Sequence, residues 1–223
     1  GEDGLKAVTD STPIIRRLEA MHPGRSVLPS DPALAFIDYL IEDFADEWCT
    51  KYMFHYRWYP EVDADNAGTL LPLGMDVSLT QAALQQLKQF FTDRQVGRLY
   101  VVGSNDVTAP VIDASYRRFL SAMEDHLANQ QFMLGRRPAA GDFGFYGQLT
   151  QLVGFDPTSR AIAHEVSPRT VAWVDQMDDH SGLDPTEQDW VGLEDQPESL
   201  RGLLREIGRV YAPAQLANAA AVQ

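Results

Sequence analysis

The chain has 223 residues, 44% of them hydrophobic, and a formal net charge of −14. That size and apolar content suffice for a sizeable buried core, while the charge argues against nucleic acid or an anionic membrane surface as a partner, because both are held by clustered Lys and Arg. The single cysteine, Cys49, leaves no internal disulfide framework, four-cysteine zinc site or CxxC pair, which fits a reducing cytoplasm. No apolar run is long enough to span a membrane, and no basic-then-apolar leader opens the chain.

Gly1-Glu2-Asp3-Gly4 reads as a turn, Leu5 to Thr9 as a short strand, and Asp10-Ser11-Thr12-Pro13 as a helix start followed by the apolar stripe Ile14, Ile15 and Leu18. A lone strand needs partners. The one later candidate is Leu99 to Val102, so the expected sheet belongs to residues outside this sequence or to another chain. Asp10 and Ser11 have two readings. They cap a helix, as such residues commonly do, or they bind a ligand whose carboxylate meets a hydroxyl and first-turn N–H groups while its ammonium meets the aspartate.

The segment LKAVTDSTPIIRRLEAMHP resembles the last strand and following helix of the thioredoxin-like domain of glutathione transferases. The resemblance implies that Asp10 and Ser11 bind the γ-glutamyl end of glutathione as co-substrate. It also implies that the thiol-activating Tyr, Ser or Cys lies in an upstream portion that this sequence does not include. The catalytic residue therefore stays unassigned.

Met21 to Pro32, with three prolines, reads as an interdomain linker. The expected division is 1–22 as a thioredoxin-like remnant, 23–32 as linker and 33–223 as an all-helical domain. Asp31-Pro32 opens a long helix to about Trp58. Its stripe is Leu34, Ile37, Ile41, Phe44, Trp48 and His55, with Asp38, Glu42, Asp43, Asp46 and Glu47 mostly off it. The aromatics beyond Trp48 exceed what one packing face needs. They line a pocket for an apolar ligand or serve a larger buried interface. Trp48, Tyr52, Tyr56 and Tyr116 are the candidates for the pocket wall.

Pro60 ends that helix, and Glu61 to Met75 reads as a loop. Its Asp63-Ala64-Asp65-Asn66-Ala67-Gly68 run fails as a calcium loop, because Ala67 occupies a ligand position and Gly74 the place of the bidentate glutamate. Thr80 to Tyr100 is predicted helical on Ala83, Leu84, Leu87, Phe90 and Phe91. Val107 to Asn129 is predicted helical on Val111, Ile112, Phe119, Met123 and Leu127.

The segment FMLGRRPAAGDFGFYGQL is a turn feeding a helix that is apolar on nearly every side. Gly141, Gly144 and Gly147 each weaken a helix by roughly 1 kcal/mol, so neighbouring helices are expected to approach their backbone closely. Asp142, in the first turn, suits a structural cap, but its usual Ser or Thr partner is replaced by Ala139. This segment resembles the core-helix signature of the glutathione transferase C-terminal domain, with Ala139 as the departure. The resemblance implies a mainly α fold, a glutathione-transferase-like helical bundle preceded by the last strand and helix of a thioredoxin-like α/β domain, and a homodimer in contact through the helices from Asp31 and Val107.

Asp156-Pro157 and Ser167-Pro168 start two short helices, and Glu198 to Tyr211 forms another on Leu200, Leu203, Leu204 and Ile207. Pro213 interrupts it. The alanine-rich end is a further helix or a frayed tail. The five histidines are scattered without ligand spacing, so no metal is expected. No nucleophile elbow, Walker loop or dinucleotide fingerprint is present. Two readings follow. One is a transferase passing glutathione thiolate to an apolar electrophile, complete only with a thioredoxin-like half. The other is a non-catalytic helical module for assembly.

Overall fold

In the computed structural model, residues 7–222 are described, and they are mainly helical. The α-helices are α1 (Ser11–Met21), α2 (Pro32–Phe44), α3 (Thr50–Trp58), α4 (Glu61–Met75), α5 (Gln81–Val96), α6 (Ala109–Leu127), α7 (Ala140–Gly154), α8 (Pro157–Val166), α9 (Pro168–Met177), α10 (Glu198–Val210) and α11 (Ala212–Val222). No strand occurs among the described residues, where only isolated bridges join Gly135 to Phe132 and to Trp190. Ala7 to Asp10 carry no strand, and Leu5 and Lys6 of the expected strand lie outside the described residues. The second expected strand, Leu99 to Val102, is a 3-10 turn closed by Gly103 in the left-handed region. Without a neighbouring strand, its backbone groups are satisfied locally instead.

The long helix predicted from Asp31 runs to Trp58, but five residues of it, Ala45–Cys49, are π-helical and join α2 to α3. A π turn holds one more residue than an α turn, so it displaces the buried face. Phe44 and Ala45 are followed inward by Cys49, Tyr52 and Tyr56, while Trp48 is only half-buried.

The segment 61–75, expected as a loop, is the helix α4. Its small residues Ala64, Ala67 and Gly68 recur at helical spacing and face inward. A Cβ on Gly68 would lie 2.5 Å from Thr92 Oγ1 of α5, so the α4–α5 pairing depends on that missing side chain. The gain from packing outweighs the weak propensity of a segment holding two glycines and Pro72. On α5, Leu84 is buried but Phe90 is exposed. On α6, Phe119 and Met123 are buried and Val111 is exposed.

The core gathers around α7. Phe145 packs against Phe44 and Phe119, with ring centroids 6.2 and 5.3 Å apart, and Leu149, Leu152 and Leu203 extend the same cluster. Two of the three spaced glycines fulfil the close-approach expectation. A Cβ at Gly141 would stand 2.7 Å from Ile41 Cγ2 and one at Gly144 3.2 Å from the Ala45 Cβ, both on the helix from Pro32. Gly147 faces open space. α7 is apolar on most sides but not buried on all of them, since Phe143 is exposed. No helix among the described residues is long and apolar enough to cross a membrane.

Candidate functional site

The start of α1 lies against the acidic face of α2 and the π segment. Asp10 caps the helix, accepting the Thr12 N–H at 3.1 Å, in a left-handed backbone conformation with φ of 78°. The Ser11 hydroxyl donates to Asp46 at 2.9 Å, and the Thr12 hydroxyl donates to Glu42 at 2.8 Å. The simple capping reading thus describes Asp10 as it stands, while Ser11 is drawn into a contact with the next helix.

A cavity of about 220 Å³ opens beside Ser11, bounded by Ile15, Glu42, Asp46, Phe143 and Gly144. Its polar rim is acidic, so it suits an ammonium group better than a carboxylate. Glu42 is buried at 4% exposure, and its carboxyl is pushed above its ordinary value by burial, with the Thr12 hydroxyl opposing. By spacing, Asp38, Glu42 and Asp46 fall mostly off the apolar stripe. In the structure Asp38 and Glu42 are buried and Asp46 half-buried. Their i, i+4 spacing on one helix was the available signal, because like charges so placed repel unless something nearby uses them.

Asp38 serves a second purpose. Its Oδ1 accepts the Gly141 N–H at 2.8 Å, at the start of α7. Asp142, fully buried, accepts the Ala139 N–H through Oδ2 and the Met133 N–H through Oδ1, each at 2.9 Å. Asp142 therefore forms its half of the capping arrangement and ties the preceding turn to the helix. Asp38 supplies, from a different helix, an acceptor that Ala139 lacks. Burial raises Asp38 to about 7, with the Gly141 N–H opposing and Glu42 adding to the rise. Asp142 is pushed up to about 8, again mainly by burial.

The four aromatic candidates occupy a different place from the one expected. Tyr52, Tyr56 and Tyr116 are in the core, at 2%, 2% and 0% exposure, with the Tyr56 and Tyr116 rings 5.0 Å apart. Their faces are covered by neighbouring side chains, so they correct to core packing rather than an open wall. Only Trp48 keeps a partly exposed surface. Tyr52 and Tyr56 face α6, their rings 5.7 and 5.0 Å from that of Tyr116.

These side chains also form a polar relay. Trp48 Nε1 donates to Tyr52 Oη at 3.0 Å, Tyr52 and Ser115 share a hydrogen bond of 2.6 Å, and Ser115 donates to Glu206 at 3.1 Å. Glu206 is gripped by Arg118 through two bonds of 2.8 and 2.9 Å. Burial raises the Tyr52 hydroxyl well above its ordinary value, so it remains a neutral donor.

Cys49 is buried and its thiol is raised, by burial first and by Asp46 second, which makes it a packed thiol and not a nucleophile. Among the described residues, no group of three or more His, Cys, Asp or Glu side chains is placed to hold a metal ion. No family model, curated protein or solved structure matches the chain.

Proposed function

We propose that this chain is the helical part of a glutathione-transferase-like protein, acting together with a thioredoxin-like half. The observation that carries the reading is the docking of the Asp10-Ser11 helix start on Glu42 and Asp46, beside an acid-rimmed cavity that Phe143 and Ile15 make apolar on one side. Asp10, with the Glu42 and Asp46 carboxylates beside it, would hold the ammonium of the γ-glutamyl group, and the Ser11 hydroxyl, turned from Asp46 to the ligand, would hold its carboxylate together with the first-turn N–H groups of α1. The half-exposed apolar face of α1, with Leu18 and Met21, offers packing surface for the thioredoxin-like half.

In that reaction the glutathione thiol loses its proton to a group of the thioredoxin-like half. The thiolate sulfur then forms a bond to an electrophilic carbon, and the displaced electron pair departs with a leaving group or, in an addition, is protonated on the neighbouring atom that receives it. The residues of this chain orient the peptide and contribute no proton-transfer group.

The alternative is a helical module without chemistry. It is favoured by the complete burial of Tyr52, Tyr56 and Tyr116, which leaves little aromatic surface for an electrophile. Calorimetric titration of glutathione into a protein that joins this chain to a thioredoxin-like half separates the two. The transferase reading expects binding that weakens by about 1.5–3 kcal/mol in Ser11→Ala, the range for a hydrogen bond to a charged group. Absence of binding supports the module. Equal affinity in the variant reduces Ser11 to a fold contact.

A further inference from the structure

Arg137 stands immediately before Pro138 and the start of α7, and its side chain is only 2% exposed. A buried guanidinium needs either a carboxylate or a full set of acceptors. Here Nη1 donates to the Thr186 carbonyl at 2.9 Å and Nη2 donates to the Ser26 carbonyl. The Trp190 ring lies under the cation, 4.4 Å from its centre. The nearest carboxylate, Glu187, is 3.9 Å away, exposed, and shared with the Ser30 hydroxyl. Nε is buried and has no acceptor among the described residues. Local polar groups therefore leave this charge incompletely answered.

Arg137 also lines a cavity of about 230 Å³ between the loop after α1 and the loop after α9. Arg25 stands on the same cavity, its Nη1 donating to the Leu183 carbonyl at 3.3 Å, and so does His180, whose Nε2 lies 3.1 Å from Met177 Sδ. Ser26 and Ser181 add hydroxyls, and no carboxylate belongs to the lining. In a chain with 32 acidic and 18 basic residues, a cavity lined by two arginines and no acidic residue, with Glu187 as the one carboxylate within 4 Å of Arg137 among the described residues, departs from the overall composition. The larger arginine-bearing groove between α6 and α10 differs, because there Arg118 is held by Glu206 and Arg205 by Glu198.

We infer that the cavity under Arg137 and Arg25 binds a small oxyanion, the phosphate or carboxylate head of a compact ligand. Its volume is below the roughly 300–1,000 Å³ of drug-sized sites, and Val27, Leu183 and Pro185 provide room for a short apolar body. Arg137 is the buried anchor and Arg25 the accessible arm of the fork, the chemistry suited to planar and tetrahedral oxyanions.

The test is thermal unfolding and calorimetric titration of the whole chain with sodium phosphate, sodium acetate and sodium chloride at matched ionic strength. Phosphate or acetate is expected to raise the melting temperature above the chloride value, and the stronger of the two identifies the head group. Arg25→Ala removes one exposed side chain with a single carbonyl contact, so its fold should persist while affinity falls by roughly tenfold. Arg137→Lys, checked for native circular dichroism, should weaken binding further. Identical melting in all three salts overturns the proposal. So does undiminished affinity in Arg25→Ala, or loss of the effect in Arg205→Ala, which would move the binding to the groove between α6 and α10.

Discussion

The carboxylate of Asp38 accepts the Gly141 N–H at 2.8 Å, so a residue of α2 caps a helix 103 positions further along the chain. The contact forms only because Gly141 has no side chain. A Cβ there would stand 2.7 Å from Ile41 Cγ2 and 3.2 Å from the Asp38 carbonyl oxygen. Capping and close packing at this crossing are therefore one feature, and it can be tested from both sides.

Removing the Asp142 carboxylate leaves the Ala139 and Met133 N–H groups buried without acceptors. Asp142→Ala is expected to lower stability by about 1–3 kcal/mol for each stranded group, with Asp142→Asn milder because an amide oxygen can keep one bond. Urea denaturation followed by circular dichroism measures this. An unchanged midpoint in the alanine variant would refute the cap.

The glycines of α7 should respond in opposite directions. Gly141→Ala forces a methyl into Ile41 and is expected to cost about 1–3 kcal/mol as overpacking. Gly147→Ala meets nothing within 4 Å and should gain up to about 1 kcal/mol in helix propensity. Parallel denaturation curves for the two variants check the contrast.

Stability should fall as pH rises through neutrality. Burial first, opposed by N–H groups, places Asp38 at about 7 and Asp142 at about 8. Both values lie above the roughly 3.9 of an unfolded aspartate. The folded state thus binds more protons than the unfolded state in between, and the stability linked to these groups, complete below about pH 4, is lost as pH passes about 7 to 8. Asp38→Asn keeps an acceptor for Gly141 and removes one titration. Its urea midpoint should therefore decline less steeply with pH than that of the parent chain, and matching slopes would count against the assignment.

Arg57 makes a bidentate pair with Asp156, both bonds 2.9 Å, and also reaches Gln151 at 2.9 Å. Asp156 is wholly buried. Arg57→Met should cost about 3–5 kcal/mol, because it strands a charge, whereas Arg57→Met combined with Asp156→Leu should recover much of the loss. A double-mutant cycle in urea checks this, and strict additivity of the two substitutions would dismiss the coupling.

If the chain pairs with a copy of itself, as the resemblance implies, the exposed Phe36 and Tyr39 of α2 are the apolar surface available on that helix. Light scattering is expected to give twice the 24.9 kDa chain mass, and Phe36→Ser should shift the mass toward the single chain. A monomer mass at all concentrations would remove the pairing.

Local sequence determined much of this protein's framework. Asp31 before Pro32, Thr80 and Ser167 before Pro168 are helix starts that satisfy their own first-turn N–H groups, and each caps the predicted helix. Such signals need only neighbours along the chain. The spaced glycines of α7 likewise announced a close crossing, met at Gly141 and Gly144. Tertiary structure decided the rest. Residues 61–75 carry turn-like local chemistry and are helical where Ala64, Ala67 and Gly68 pack inward, Gly68 close against Thr92 of α5. Asp38 and Glu42 lie mostly off the apolar stripe of their helix yet are buried, where Gly141 and Thr12 bring them donors from distant segments. Packing against Tyr116 of α6 puts Tyr52 and Tyr56 in the core and not on a pocket wall. In each case the deciding partner lies tens of residues or more away, and residue spacing within a single helix does not carry it.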